Sequence, residues 1–572
     1  MTDALARNLP RFSNPKDIDD FVEMLEAFER GEIGPDQFRM FRLLRGVYGQ
    51  RQENTQMIRV KLPFGLAGKE QLEAMADVAD THSRGFGHVT TRQNMQFHFV
   101  PLAETEAAMR RLDEAGMTTK EACGNSVRNV TACELAEVCK DAPFDVTPHA
   151  EAIVRHFLGH PLASSLPRKF KIAFSGCTHD CAKAAIHDLG LIAKIKDGQT
   201  GFRVVAAGGL STTPQDAIVL HEFIASAELG RVAEAILRIF HTMGNRDNKH
   251  RARLKYVLRK LKPAGFIAKY NEFRAAIDAE AMSELKLGTP PNFPPHAPVQ
   301  ASEPSSPGYL KWAASSVVDQ NQEGYISVYV RLELGDMTST QMRGLGALLD
   351  RFGNGTVRFT IDQNIVVPWV DRRSLPALFS ALSSLDLARL DIHTAKDATS
   401  CPGAETCNLA VTGSRALASA IGARLEREDT GAMGAFKKTI VKVSGCPNSC
   451  GQHHIADLGY HGGAKRVGDK AYPIYQLHLG GGVDESGARF GRQVVKIFAR
   501  RVPEATVRLL ALYDQDKKVD EIPTQFFARL DAKRVQEVLG TLLTDPPTPE
   551  ELLDLGEDKG FIVHTGDGEC AA

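Results

Sequence analysis

Ten cysteines stand in the chain, at positions 123, 133, 139, 177, 181, 401, 407, 446, 450 and 570. Two quartets emerge from their spacing. Cys401, Cys407, Cys446 and Cys450 read C-x5-C-x38-C-x3-C, while Cys133, Cys139, Cys177 and Cys181 read C-x5-C-x37-C-x3-C. Thiolates in fours suit zinc or a [4Fe–4S] cluster. Structural zinc sites favour tighter knuckles, with roughly two to four residues between ligands, so a spacer of five leans toward the cluster. The later pairs lie in turns rich in Gly and Pro, TSCPG and SGCPNSCG, whose backbone N–H groups can hydrogen-bond cluster sulfurs. Buried thiols without metal are the plain alternative, and clumping argues against it. Disulfides explain little in a large chain with no visible secretion signal. Spacing alone leaves open whether the first quartet also holds iron or is a relic.

Cations form the second group with chemical potential. Arg59 falls on the polar face of an alternating segment whose other face is Ile58, Val60 and Leu62. Lys169 and Lys171, two residues apart, share one side opposite Phe170, Ile172 and Phe174. Arg128 lies in GNSVRNVTA. One such residue is by default the solvated face of a strand. Together they can do more, because guanidinium forks grip oxyanions and ammonium groups stabilise charge and deliver protons.

The elements that must position these residues follow from periodicity. NPKDIDDF opens a helical N-terminal extension over 1–50, with Phe21, Leu25 and Phe28 at helical spacing. MIRVKLPF reads as a half-buried strand, GKEQLEAMADVADTH as a helix and HVTTRQNMQFHFV as a further strand region. The Pro/Ser-rich stretch GTPPNFPPHAPVQASEPSSPG is the clearest linker. On either side the order of motifs repeats. IRVKLPFG matches VYVRLELG, TTRQNMQFHFV matches TIDQNIVVPWV, CELAEVC matches CPGAETC, and FSGCTHDCAKAAIHDLGLI matches VSGCPNSCGQHHIADLGYH. An internal duplication with pseudo-twofold symmetry is therefore expected. The divisions expected are 1–50, 51–115, 116–287, a linker at 288–315, then 316–390, 391–545 and a tail at 546–572.

CPGAETCNLA with SGCPNSCGQHHIADLG resembles the sirohaem- and [4Fe–4S]-containing sulfite and nitrite reductases, with TTRQNMQ, SVRNV and LPRKFK adding to the match. The likeness runs from about residue 50 to about 500. It implies an α+β fold of two ferredoxin-like half-domain units (51–115 and 316–390) and two sirohaem/cluster-binding α/β lobes (116–287 and 391–545). It implies a cluster on Cys401, Cys407, Cys446 and Cys450, with Cys450 also ligating the sirohaem iron. Arg59, Arg128, Lys169 and Lys171 match the family's substrate-binding cations. Arg92, Gln93 and Gln96 match positions near the sirohaem carboxylates, and Asn448 is expected beside the macrocycle. The reaction implied is a six-electron reduction of sulfite to sulfide or nitrite to ammonia. Lys171, where plant-type nitrite reductases tend to have asparagine, favours sulfite, with nitrite also accepted.

The repeat supplies an internal check. Arg59, Arg92 and Lys171 fall opposite Tyr329, Asp362 and Ile440, whereas Lys169 and Arg128 fall opposite Lys438 and Lys396. One complete substrate site is expected, its cations from the first half and its cysteines from the second. Weaker signals have bland readings. The basic run NRDNKHRARLKYVLRK is expected to be a solvated helix face, AGGLS and LGGGV tight turns or carboxylate contacts, His453 and His454 satisfied structural histidines, and Cys570 a thiol without a role.

A formal net charge of −1 gives no whole-protein field toward nucleic acid or anionic membrane. No apolar run long enough to span a bilayer is present and MTDALARNLPRF has no apolar core, so a reducing cytoplasmic location is expected. No flavin or nicotinamide fingerprint is evident, so electrons are expected from ferredoxin or a flavoprotein. The competing readings are an assimilatory nitrite reductase, a redox enzyme of cobalamin-type biosynthesis, and a zinc-stabilised scaffold or electron-transfer module, which would lack both an anion cradle and haem absorption.

Overall fold

A computed structural model describes residues 9–277, 285–288, 294–302, 304, 306–428, 434–563, 566 and 569. Cys570 lies outside them. The first fifty residues carry two helices, but they are not helical throughout, since Val47–Gly49 is already the edge strand of the first sheet. Asn14 caps the helix Pro15–Glu29 by accepting from the Lys16 N–H, and Phe21 and Leu25 are buried against the helix Pro35–Leu44.

Four five-stranded sheets carry the rest. The first runs in the order Val47–Gly49, Thr55–Val60, Met95–Pro101, Phe86–Val89, Asp336–Thr338, all antiparallel. Its twin runs Val317–Asp319, Tyr325–Val330, Ile365–Asp371, Thr356–Phe359, Leu66–Gly68. Each sheet thus takes its last strand from the other half of the chain. The helices Lys69–His82 and Ser339–Leu348 pack against each other, and one apolar core joins both units. HVTTRQNMQFHFV is a hairpin rather than one strand. His88 pairs with Gln96 and Val89 with Met95, which leaves Arg92 and Gln93 in the turn.

Gln93 explains how that turn is held. Its backbone is left-handed at φ 54, and its wholly buried side chain donates to the carbonyls of Ala132 and Phe359 while accepting from the Ala132 N–H. Gln363, with φ 68, donates to the Val89 carbonyl and accepts from the Ser400 N–H. The two glutamines clamp the halves reciprocally.

The two lobes have mixed sheets. In the first lobe Thr131–Ala132, Ile172–Ser175 and Leu189–Lys196 are parallel neighbours, followed by antiparallel Gln199–Ala206 and Ile218–Ala225. The second lobe repeats this with Thr399–Ser400, Val441–Ser444, Leu458–Val467, Lys470–Leu479 and Arg492–Phe498. Each has its own core.

Two segments depart from expectation. The last part of the 288–315 stretch is not linker, for Pro307–Ser316 is a helix whose Trp312 is wholly buried in the central core. The tail beyond 545 is docked: the Asp554 carboxylate accepts from the Gly413 N–H at 2.7 Å, and Glu569 accepts from the Gly49 N–H at 2.6 Å. Among the described residues no helix is long and apolar enough to cross a membrane.

Candidate active site

The four cysteines of the second lobe meet because two loops touch. Cys401 follows the strand Thr399–Ser400, and Cys446 lies two residues beyond its parallel neighbour Val441–Ser444. Gly445 permits the close approach, since a Cβ there would stand 2.6 Å from the Thr412 carbonyl and 3.0 Å from the Gly403 Cα. The turn beyond is compact, with Ser449 and Gln452 left-handed at φ 58 and 64. Burial, then the neighbouring thiols of Cys450, Cys401 and Cys407, push the Cys446 thiol up, which registers all four as one group. Backbone donors reach the sulfurs: the Gly445 N–H lies 3.3 Å from the Cys401 Sγ, and the Asn448 N–H bonds Cys446. None of the nine described cysteines forms a disulfide.

First-half residues unmarked by any motif hold this loop. The Arg51 guanidinium donates to the carbonyls of Cys407 and Ala410 at 3.2 and 2.8 Å, and Gln52 donates to that of Glu405. The Thr91 hydroxyl donates to the Cys450 carbonyl at 3.1 Å, bringing the Arg92 turn against the exposed Cys450.

The cations converge on that side. Arg59 donates to the Gln96 Oε1 from Nε at 3.0 Å and from a terminal nitrogen at 2.6 Å, and to the Ala122 carbonyl. Arg128, almost buried, donates to the carbonyls of Ala122 and Gly124. Arg92 donates to the His187 Nε2 at 2.6 Å and to the Asn129 carbonyl. His187 Nδ1 faces the Lys183 carbonyl, so the ring is neutral with Nε2 as acceptor. Desolvation, then Arg128, with Arg253 and Arg59 adding to it, lowers Arg92 to about 9. Lys171, half-buried, is held well below the ordinary lysine value by desolvation, then by Arg92, Arg253 and Lys169; only the Cys450 thiol among its main influences acts upward.

The basic run 245–260 is not merely a solvated face. Lys249, His250 and Arg251 are exposed, but Arg253 is 7% and Lys255 0% exposed. Lys255 donates to the Leu210 and Thr213 carbonyls, and desolvation, then Arg253, lowers it to about 7. Arg253 pairs with Asp188 at 2.8 Å. Asp188 is the carboxylate that tempers Arg92 and Lys255 alike. The Nε groups of Arg92 and Arg253 are buried with no hydrogen-bond partner among the described residues. Arg59, Arg92, Arg128, Lys169, Lys171, Arg253 and Lys255 therefore line a region poor in negative charge.

Three expectations change here. Gln93 cannot contact a cofactor, because its amide is consumed as a backbone clamp. Gln96 is also buried and committed, its oxygen to Arg59 and its nitrogen to the His98 ring at 3.1 Å, so it orients Arg59. His453 is not satisfied: neither ring nitrogen has a partner among the described residues, and the ring packs against those of His454, His461 and His478. The Gly loops are tight turns, with the N–H groups of Gly208, Gly209, Gly480 and Gly481 spent on protein carbonyls. Asn448 is half-buried between the cysteines and offers its backbone N–H to Cys446.

Thiols gathered for iron beside guanidiniums gathered for anions define a class, that of redox metalloproteins acting on small anions. The chain belongs, more specifically, to the nitrite and sulfite reductase family. The family model "Nitrite and sulphite reductase 4Fe-4S domain" matches residues 123–276 and 394–542, and "Nitrite/Sulfite reductase ferredoxin-like half domain" matches 48–115 and 318–385. Similar proteins carry both activities in their names. A sulfite reductase [ferredoxin] of Mycobacterium tuberculosis is 28% identical over 511 residues, 85% of this chain and 87% of that one. A ferredoxin–nitrite reductase of Synechococcus elongatus is 27% identical over 461 residues, 79% and 85% of the two chains. The structure of the M. tuberculosis NirA protein superimposes with a TM-score of 0.75 at 25% identity, covering 93% of this chain and 99% of that chain.

The protein is thus an oxidoreductase of the sulfite- and nitrite-reducing family, with the duplicated α+β architecture, and its cofactors are a [4Fe–4S] cluster and sirohaem. Its residues fit both groups. The gathered thiols with backbone donors suit a cluster, and the orphaned N–H groups of Arg92 and Arg253 suit a macrocycle that carries many carboxylates.

Proposed function

We propose that the protein reduces sulfite to sulfide as its main reaction, accepts nitrite at the same site, and works in a reducing cytoplasm. The observation that carries this reading is the convergence of Arg59, Arg128, Lys169 and Lys171 on the side of Cys450. Cys401, Cys407, Cys446 and Cys450 would hold the cluster, and Cys450 would also serve as a ligand of the haem iron. Arg92 and Arg253 hold sirohaem carboxylates, and Asn448 lies beside the macrocycle. When bound, the two groups would relay the electrons of the reduction, one at a time, from an external donor to the anion.

The chain's own residues bind, orient and protonate. Arg59 and Arg128 are fixed by Gln96, Ala122 and Gly124 before any substrate arrives, so gripping an oxyanion costs little reorganisation. Lys169 and Lys171 add two ammonium groups, which suit the dianionic fraction of sulfite better than the single charge of nitrite. Those ammonium groups are placed to give protons to oxygens leaving as water. Electrons arrive from a separate one-electron donor protein; relatives named for ferredoxin make that the donor of choice.

Turnover with each anion at equal supply of reduced ferredoxin tests the reading. Sulfite is expected to have the higher kcat/KM, and Lys171→Asn is expected to lower the sulfite value more than the nitrite value. A nitrite kcat/KM far above that for sulfite would overturn the assignment and leave nitrite reduction as the main activity.

A further inference from the structure

Cys133, Cys139, Cys177 and Cys181 take no part in the site above. We propose that they hold a second [4Fe–4S] cluster, one with no haem beside it. The inference does not depend on which oxyanion the other site reduces.

The frame around the two quartets is the same. Thr131 pairs in parallel with Ala173, and Thr399 pairs in parallel with Lys442. Cys133 and Cys401 each stand two residues past the first member of their pair, and Cys177 and Cys446 four past the second. The Cys133 N–H donates to the Phe174 carbonyl as that of Cys401 does to Val443, and the Cys139 N–H to Leu135 as that of Cys407 does to Gly403. The turn carrying the last two cysteines is also the same. Asp180 and Lys183 are left-handed at φ 50 and 57, where Ser449 and Gln452 are left-handed in the other lobe. Even the backbone donor is kept: the His179 N–H bonds the Cys177 sulfur as that of Asn448 bonds Cys446. Two loops folded in one register present four sulfurs to one place twice over.

The four thiols of the first lobe also touch one another. Cys133 is hydrogen-bonded to Cys181, and Cys177 to both Cys139 and Cys181. Cys133 and Cys177 are buried, while Cys139 and Cys181 are half-buried at the mouth. A chance persistence of cysteines would keep neither the register nor the mutual contact.

A second haem has no comparable seat in this lobe. Tyr329 and Asp362 occupy the positions equivalent to Arg59 and Arg92. The Tyr329 hydroxyl donates to the carboxyl of the half-buried Glu134 at 3.4 Å, and the Lys442 ammonium is taken up by Asp362 at 2.6 Å. With a tyrosine and an ion-paired aspartate where the other half has two arginines, the pocket offers no paired guanidiniums to hold the carboxylates of a macrocycle, and it leaves the cluster alone.

The test is metal and sulfide content of the full chain purified without oxygen. With sirohaem as the internal standard, the wild type is expected to hold about nine irons and about eight acid-labile sulfides per sirohaem. Cys139→Ser/Cys181→Ser is expected to lose about four of each, with the sirohaem absorption unchanged. Low-temperature Mössbauer spectra of the wild type alone give a second readout that needs no variant. They are expected to show one cluster coupled magnetically to the haem through the shared thiolate and one uncoupled cluster. About five irons with a single coupled cluster would overturn the inference while leaving the reductase assignment intact. One zinc per chain, lost in the double variant, would overturn it as well.

Discussion

Arg59 and Arg128 donate to the same acceptor, the carbonyl oxygen of Ala122, at 3.4 and 3.2 Å. Tyr48 joins them, its hydroxyl accepting from Arg128 at 3.4 Å and its ring lying 5.5 Å beneath the Arg59 guanidinium. Two like charges gathered on one carbonyl repel each other, and an anion placed against them turns that repulsion into attraction for the substrate.

Gln96 sets the other edge of Arg59 through two hydrogen bonds to one oxygen. Gln96→Ala leaves the guanidinium without that acceptor, at a cost of about 1.5–3 kcal/mol for a charged hydrogen bond. The KM for sulfite is expected to rise about tenfold or more, with kcat changed less. Steady-state kinetics on preparations of equal sirohaem content check this, and an unchanged KM would detach Gln96 from the site.

Asp188 is wholly buried, accepts from Arg253 at 2.8 Å and from the Lys171 N–H at 2.9 Å, and is the main negative charge among these cations. Asp188→Asn is expected to destabilise protein without sirohaem by about 3–5 kcal/mol, because it leaves a buried cation unpaired. The loss should be smaller with sirohaem bound, since its carboxylates offset the missing charge. Thermal unfolding of the two forms measures both losses, and equal losses contradict the prediction.

Glu234, on the helix Leu229–Met243, accepts from Arg238 at 2.8 Å and faces His156 at 3.4 Å. Burial alone pulls the carboxyl up, but hydrogen bonds from His156 and Arg238 outweigh it and hold the group at about 2, below its ordinary value of 4.5. A carboxyl depressed in the folded state contributes stability that is present above the unfolded value and is lost as pH falls through the folded one. Glu234→Gln is therefore expected to remove about 3 kcal/mol at neutral pH and to flatten the stability curve between about pH 4.5 and 2. Denaturant unfolding across that window would reveal it, and an acid limb as steep as in the wild type would speak against Glu234.

Gly445→Ala places a methyl 2.6 Å from the Thr412 carbonyl, between the loops that carry the two cysteine pairs. The loops must part, so the variant is expected to lose its haem-side cluster while both lobes keep their cores. Iron content should fall by about four per chain with the far-ultraviolet circular dichroism retained. Full iron loading would show that the close approach is not needed.

The cysteines were legible because their chemistry is written in short spacings, and the strand–helix–strand order because periodicity is local. Arg51, Gln52 and Asp188 were not, because each acts through a tertiary contact that no motif marks. Gln93 was misread for an instructive reason. The same glutamine stands in both repeats, as Gln93 in TTRQN and Gln363 in TIDQN, and makes the same clamp in each. Its neighbours differ, Arg92 against Asp362. The glutamine kept at this position serves the shared frame, whereas its diverged neighbour sets the cation-rich half apart from the other. The basic run was misjudged because Arg253 and Lys255 are turned inward by a fold that its charge pattern does not reveal.

Asp336–Thr338 completes the first sheet and Leu66–Gly68 completes its twin, so each repeat finishes its neighbour. The duplication can no longer be undone. Either half made by itself would present a bare sheet edge and an open apolar face, which invites aggregation. Made together as two polypeptides divided within 288–306, the halves are expected to find each other as an obligate pair, with the anion site complete only when they meet.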